Sequence, residues 1–235
     1  MFISFFNTAV RPPDVRLALN KFYMDSFKAL YNITDDIEAE AADLEFPLMV
    51  LRKTISEKIG DKPKYFFDIR TTEEFGNPAP EYLLLYKLGL NNTVPLSIKG
   101  MGNLAIIQGF AFAELCLNGN ETALFYIAEA YNRFDQKKYK AQSSGSFIVS
   151  ANNGEMRIEK YGFTDDIRAV IQSGSFDHIW TDDPDSDKFA DVADFGLTGL
   201  FPGNEMMKNT SEFRTLTILR HKDKYGFFII GKENK

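Results

Sequence analysis

Sulfur and imidazole are scarce in this chain: 235 residues hold one cysteine, Cys116, and two histidines, His178 and His221. A single thiol excludes an internal disulfide and any multi-cysteine metal site, and two imidazoles leave little material for a zinc site. No apolar run reaches the ~18 residues that a membrane-spanning helix needs. Positive charge does not dominate either. The 27 Lys and Arg stand against 33 Asp and Glu, a formal net charge of −6, which argues against a nucleic-acid backbone or an anionic membrane as the main partner. The apolar opening run, Met1 to Phe6, has no basic region before it and no small-residue cleavage site, which predicts no signal peptide and a soluble cytoplasmic protein. What remains is ordinary globular material, 44% hydrophobic and 26% charged, close to the average. The length allows one large domain or two small ones. The aromatic share, 14% with 22 Phe, fits a richly aromatic core, an apolar tunnel or a subunit interface.

Phe2–Phe6 reads as a buried strand. Asp14–Leu30 and Asp43–Ile59 carry apolar residues at helical spacing, with Pro47 near the start of the second, where a helix tolerates it. Tyr65–Ile69 is an aromatic strand, Glu81–Leu88 a short helix stopped at Gly89, and Val94–Ile98 another strand. Asn103–Leu117 (NLAIIQGFAFAELCL) is apolar almost all round. That describes a helix buried on every side rather than an amphipathic surface helix. Asn118-Gly119-Asn120 ends it, and Ala123–Ala128 is the next apolar run. Ser146–Ser150 and Glu155–Tyr161 flank Asn152-Asn153-Gly154, which predicts a hairpin. His178–Trp180 reads as a short strand and Asp182–Asp194 as an acidic loop. Phe213–Leu219 and Tyr225–Ile230 read as strands joined by the polar turn Arg220–Lys224. This order points to an α/β layered fold, and a helix buried all round implies more than one sheet layer. No short repeat is visible.

Within this frame Asp68–Ala130 resembles the thiolase-like superfamily, nearest to ketoacyl synthase III and its relatives. The resemblance rests on Thr71-Thr72, Gly76-Asn77-Pro78-Ala79-Pro80, Tyr82-Leu83-Leu84 and Lys87-Leu88-Gly89-Leu90. Val94–Ile98 resembles the strand leading into the family's nucleophile. Asn118-Gly119, Thr122-Ala123-Leu124 and Glu129 resemble the segment after the buried helix, and Lys224-Tyr225-Gly226-Phe227 resembles the last strand pair. The resemblance implies an α/β thiolase-like layered α-β-α-β-α fold built from two similar halves, with the nucleophile's helix in the middle. Here the halves are an N-terminal one over 1–164 and a reduced C-terminal one over 165–235, forming one compact unit.

The family's chemistry needs a cysteine at the N-terminus of that helix. There the helix dipole favours the thiolate, which takes an acyl group from a carrier. Family spacing counted back from Gly119 puts that position at Gly102, which cannot form a thioester, and its neighbours Met101 and Asn103 are not thiols. Cys116 lies about four turns further on, at the other end of the helix, and reads as a small core residue. The family's catalytic histidine falls at Asp182. His178 sits four residues earlier, inside its strand, and reads as structural. The family's asparagine matches Asn204 in Pro202-Gly203-Asn204, which is also a plain turn. The site is therefore degenerate at Gly102, Asp182 and Asn204, and loss of the nucleophile alone removes covalent catalysis.

No metal or cofactor is implied. Asp183, Asp185, Asp187, Asp191 and Asp194 are spaced like EF-hand ligands, but Lys188 stands where glycine makes the turn and Asp194 where a bidentate Glu belongs. A solvated acidic loop is the expectation. The basic run Gln136–Lys140 reads as a solvated loop or a contact for an acidic carrier. The resemblance implies a non-catalytic ketosynthase-like subunit in fatty-acyl or polyketide-type specialised metabolism. It would pair with an active ketosynthase-like partner, or with itself, through the strand Val94, Pro95, Leu96, Ser97 and Ile98, and stabilise that partner or shape its acyl pocket. Acyl carrier protein and acyl-CoA are the further molecules it would meet. The alternatives are an acyltransferase or thioester hydrolase working without a cysteine, with Asp182 or His178 as base, and a stand-alone acyl-binding module.

Overall fold

The computed structural model describes residues 1–11, 45–58, 62–70, 80–129, 142–183, 190–192 and 212–232. The helix expected over Asp14–Leu30, the segment 71–79, the basic run Gln136–Lys140 and Asn204 lie outside them. Along the chain come β1 (Phe2–Arg11), α1 (Glu45–Lys58), β2 (Tyr65–Arg70), α2 (Pro80–Lys87) and β3 (Val94–Ile98). A single 3-10 turn (Gly102–Leu104) leads into α3 (Ala105–Cys116), followed by β4 (Thr122–Glu129), β5 (Gln142–Ser150) and β6 (Met156–Thr164). The chain continues with α4 (Ile167–Gln172), β7 (His178–Thr181), β8 (Asp191–Val192), β9 (Phe213–His221) and β10 (Lys224–Lys232).

The strands form one ten-stranded sheet in the order β3-β2-β4-β5-β1-β6-β10-β9-β7-β8. Its two ends are copies of one plan. In the first, β2 runs parallel to β3 and β4, while β5 is antiparallel to β4 and β1. In the second, β7 runs parallel to β8 and β9, while β10 is antiparallel to β9 and β6. Each unit is thus a five-stranded sheet of the same order and sense, a repeat present in topology and invisible in residue identity. By strand order β6 opens the second unit, whereas the division after residue 164 assigns it to the first. Among the described residues the second unit's helix has 6 residues against 14 in α1, and β7 has 4 against 6 in β2.

The hairpin expected around Asn152-Asn153-Gly154 does not form. β5 and β6 do not pair; the start of β1 lies between them, with Phe2 opposite Ser150 on one side and Arg157 on the other. The same stretch carries backbone bonds from Glu155 N to Ile3 O (3.1 Å) and from Ile158 N to Met1 O (2.9 Å). Asn-Gly is used here to cross over a strand rather than to double back. A Cβ on Gly154 would stand 2.5 Å from the Phe2 Cβ and 3.1 Å from the Ile3 carbonyl, so the crossing needs the bare backbone. The second expected hairpin is present, with β9 and β10 paired from Phe213↔Lys232 to His221↔Lys224.

Layering follows from which faces are apolar. Alternation along β2 sends Phe67 and Ile69 inward and Phe66 outward, and the residues sort into three clusters accordingly. The central cluster joins Phe67, Phe125 and Phe147 of the first unit to Leu219, Phe228 and Ile230 of the second, with Ile106 and Phe110 of α3 between them. A second cluster packs α1 and α2 on the outer face of the first unit through Leu48, Leu51, Leu84 and Leu85. A third packs α4 on the outer face of the second through Ile167, Val170 and Ile171. The result is the α-β-α-β-α layering. Ile106, Phe110 and Ala113 are fully buried and Leu117 nearly so. The far end of α3 departs from the expectation of burial on every side: Phe112 is 42% exposed and Leu115 79%.

One ion pair is sealed in the outer face of the first unit. Arg70 Nε donates to both oxygens of Asp68, at 2.9 and 3.0 Å, and its guanidinium stands 5.9 Å from the centre of the Tyr126 ring. Burial pushes the Asp68 carboxyl up from its ordinary pKa, and Arg70 opposes that shift.

Candidate functional site

The site is assembled where β3 hands over to α3. Gly100 and Gly102 both adopt left-handed backbone, with φ of +77° and +52°. Leu104 N then donates to Met101 O at 3.1 Å, and α3 begins without any side-chain cap. A strand that turns sharply through a left-handed residue into a helix is the backbone of a nucleophile elbow, the device that lifts one reactive side chain to a helix N-terminus. Here that backbone carries Gly102 at its apex, and no side chain is lifted. The N–H groups of the first turn and the positive end of the helix dipole are present, and residue 102 is a glycine.

What surrounds the apex comes from the second unit. His221, the last residue of β9, lays its ring against Gly102. A Cβ on Gly102 would meet His221 Nδ1 at 2.2 Å and its Cγ and Cε1 at 2.9 Å. Asp182, one residue past the end of β7, braces the same corner. Its Oδ1 accepts from Arg220 N at 2.7 Å, and its Oδ2 accepts from Asn103 Nδ2. Asn103 itself is buried, 3% exposed. Asp182 therefore ties the head of α3 to the end of β9. Next to it, buried Asp183 accepts from Arg220 Nη1 at 2.9 Å and from the Tyr225 hydroxyl at 3.3 Å, and the Arg220 guanidinium lies over the Tyr225 ring.

Gly102 and Asp182, the two described residues at the positions the resemblance points to, thus share one corner of the structure. His178 stays out of it. It is half-buried on β7, opposite Thr215, and its ring stacks on Trp180 with centroids 5.9 Å apart. Four residues of extended strand, about 13 Å, separate it from Asp182. Cys116 is the last residue of α3, half-buried; fourteen residues of helix put it about 20 Å from the apex. Of the acidic loop, Asp185, Asp187 and Asp194 lie outside the described residues, and Asp183 is held by Arg220. His221 was not legible as a site residue. It follows a strand and precedes a turn, a context that draws polar residues anywhere, and nothing in its spacing links it to residue 102.

The strand named as an interface, β3, is the edge of the first unit. Val94 N donates to Lys64 O at 2.9 Å, so the N–H groups of residues 94, 96 and 98 turn inward. Alternation sends Pro95 and Ser97 outward. Proline is tolerated there because the donor it lacks faces away from β2. Val94 is 47% exposed, and α3, which packs beneath the sheet, carries the exposed Phe112 and Leu115 at its far end. No helix among the described residues is long and apolar enough to cross a membrane.

No known family profile matches the chain, and no curated protein matches it. Solved structures do. ChlB3, described as an acyltransferase, superposes with a TM-score of 0.68 at 8% identity, covering 99% of this chain and 98% of that one. AbyA1, a tetronic acid condensing enzyme, gives 0.64 at 10% identity, covering 99% of each chain. The 3-oxoacyl-[acyl-carrier-protein] synthase III of Aquifex aeolicus gives 0.64 at 10% identity, covering 97% of this chain and 99% of that one. Likeness at this identity speaks to architecture. With its two units of equal strand order closed around one buried helix, the chain has the thiolase-type layered fold of the ketoacyl synthase III structures.

Proposed function

We propose that this chain is a non-catalytic ketosynthase-like subunit. In this reading it pairs with an active ketosynthase-like partner and stabilises it or shapes its acyl pocket. The observation that carries the reading is the apex of the elbow: the backbone that presents a nucleophile is built, and Gly102 stands on it. A thioester needs a thiol there, and the single thiol of the chain, Cys116, lies about 20 Å away along the helix. Support for pairing comes from the β3 edge, where Ser97 N–H faces outward beside exposed Val94. An edge strand of this kind adds a partner strand by backbone bonds. Acyl carrier protein or acyl-CoA would then be met through the partner.

Intact-mass spectrometry after incubation with acyl-CoA and with acyl carrier protein tests the first half of the reading. The expected result is an unchanged mass; a stable acyl adduct on Cys116 overturns it. Size-exclusion chromatography tests the second half, and a well-behaved monomer that captures no ketosynthase-like partner counts against it. The alternative, acyl transfer or thioester hydrolysis without a cysteine, is favoured by one observation: His221 and Asp182 both stand at the head of α3. Against it, both Asp182 oxygens already accept N–H groups of the protein. Release of free thiol from acyl-CoA by the purified chain would favour this alternative.

A further inference from the structure

We infer that His221 is an internal plug: its imidazole fills the volume that a side chain at position 102 would need, and closes the head of α3 to any acyl group. This rests on reading that helix head as a vacated nucleophile position. Three observations carry it. The first is the fit: Nδ1 lies 2.2 Å, and two ring carbons 2.9 Å, from the point where a Cβ on Gly102 would be, closer than real Cβ atoms approach anything. The second is rigidity. His221 closes the β9–β10 ladder opposite Lys224, and its neighbour Arg220 is fixed through its N–H to Asp182, so the ring cannot retreat by a backbone shift confined to the turn. The third is that the hairpin as a whole is pressed on the same helix. A Cβ on Gly226 would meet Leu104 Cδ2 at 2.9 Å and Ile107 Cγ1 at 3.1 Å, so β10 sits against the first turns of α3 with no slack. Glycine at 102 and the imidazole at 221 thus fit each other sterically. A cysteine at 102, already strained by the left-handed backbone, meets the ring where it now stands, and removal of the ring makes room for it.

The test is a thiol placed at the apex in a C116S background, where it is the only thiol of the chain. The full-length variants G102C and G102C/H221G are treated with iodoacetamide, and the adduct is followed by intact mass. The double variant should be alkylated at least tenfold faster than G102C; rates within twofold overturn the plug. If G102C is insoluble and the double variant soluble, the rescue supports the plug. If neither folds, H221G alone decides. Free imidazole at millimolar concentration should raise the melting temperature of H221G and leave that of the wild type unchanged, and the absence of a difference overturns the plug. None of these readouts depends on a partner or on wild-type acylation, so failure of the plug and failure of the subunit reading are told apart.

Discussion

Phe110 is the residue through which the two units share a core. From the middle of α3 its ring meets Phe125 at 5.8 Å and Phe147 at 6.5 Å in the first unit, and Tyr161 at 5.9 Å and Phe228 at 5.6 Å in the second. It is fully buried. Phe110→Ala removes a ring contacted from both sheets, where neither can collapse without dragging the other. The expected cost is about 3–5 kcal/mol. For a chain of this size that corresponds to a fall of about 6–20 °C in melting temperature. Phe110→Leu keeps most of the volume and should cost about 1 kcal/mol. Urea unfolding followed by two probes is the assay. Far-UV circular dichroism reports on the whole chain, and fluorescence of Trp180, the single tryptophan, reports on β7 in the second unit. Both midpoints should fall together in Phe110→Ala. A fall in the circular dichroism midpoint with the Trp180 transition unmoved would show that α3 stabilises the first unit alone and refute the shared core.

Ser97→Pro removes the outward donor of β3 without touching its ladder to β2, so it should shift size-exclusion profiles toward monomer while leaving the melting temperature within a few degrees. Gly154→Ala forces a methyl against the Phe2 Cβ at 2.5 Å and should cost about 1–3 kcal/mol by urea unfolding, because backbone lies behind the contact. Arg70→Met leaves Asp68 buried without its cation and should cost about 3–5 kcal/mol at neutral pH. The sign with pH follows from the carboxyl's raised pKa. The folded state of this variant holds the proton longer than the unfolded state, so its stability should be greatest near pH 4 and decline as pH rises to 7. A variant that gains stability over that range would contradict this burial argument.

Much of the layering could be read from residues because it depends on local pattern. The run from Asn103 to Leu117 has no polar face, and its first eight residues, Asn103 to Phe110, lie at the centre of the molecule. The exposed Phe112 and Leu115 show the limit of that reading: hydrophobicity marks what is apolar, not what covers it. The turn at Asn152-Asn153-Gly154 was recognisable as a turn, but the strand that enters beside it begins at Phe2, and no local signal announces a partner so far away. Topological duplication came only from the family resemblance, since strand order depends on pairing rather than composition. At the site, the family spacing led to Gly102 and Asp182, which the fold brings to one corner through Asn103. His221 escaped because it comes from the other unit and no spacing in the sequence ties it to residue 102.

The position of β1 between β5 and β6 bears on how the chain is made. Phe2 finds its two neighbours only at Ser150 and Arg157. On a ribosome adding 5–20 residues per second, β1 therefore waits about 7–30 seconds for these partners. During that interval it is an unpaired apolar strand, and Ile3 and Phe6, both buried in the finished fold, lack Phe147, Val149 and Met156 of their cluster. Long-range pairing of this kind also slows refolding of the finished chain. Synthesis should thus depend on something that shelters the nascent β1, and yield in a heterologous host should respond to chaperone level and growth temperature more than final stability alone would suggest.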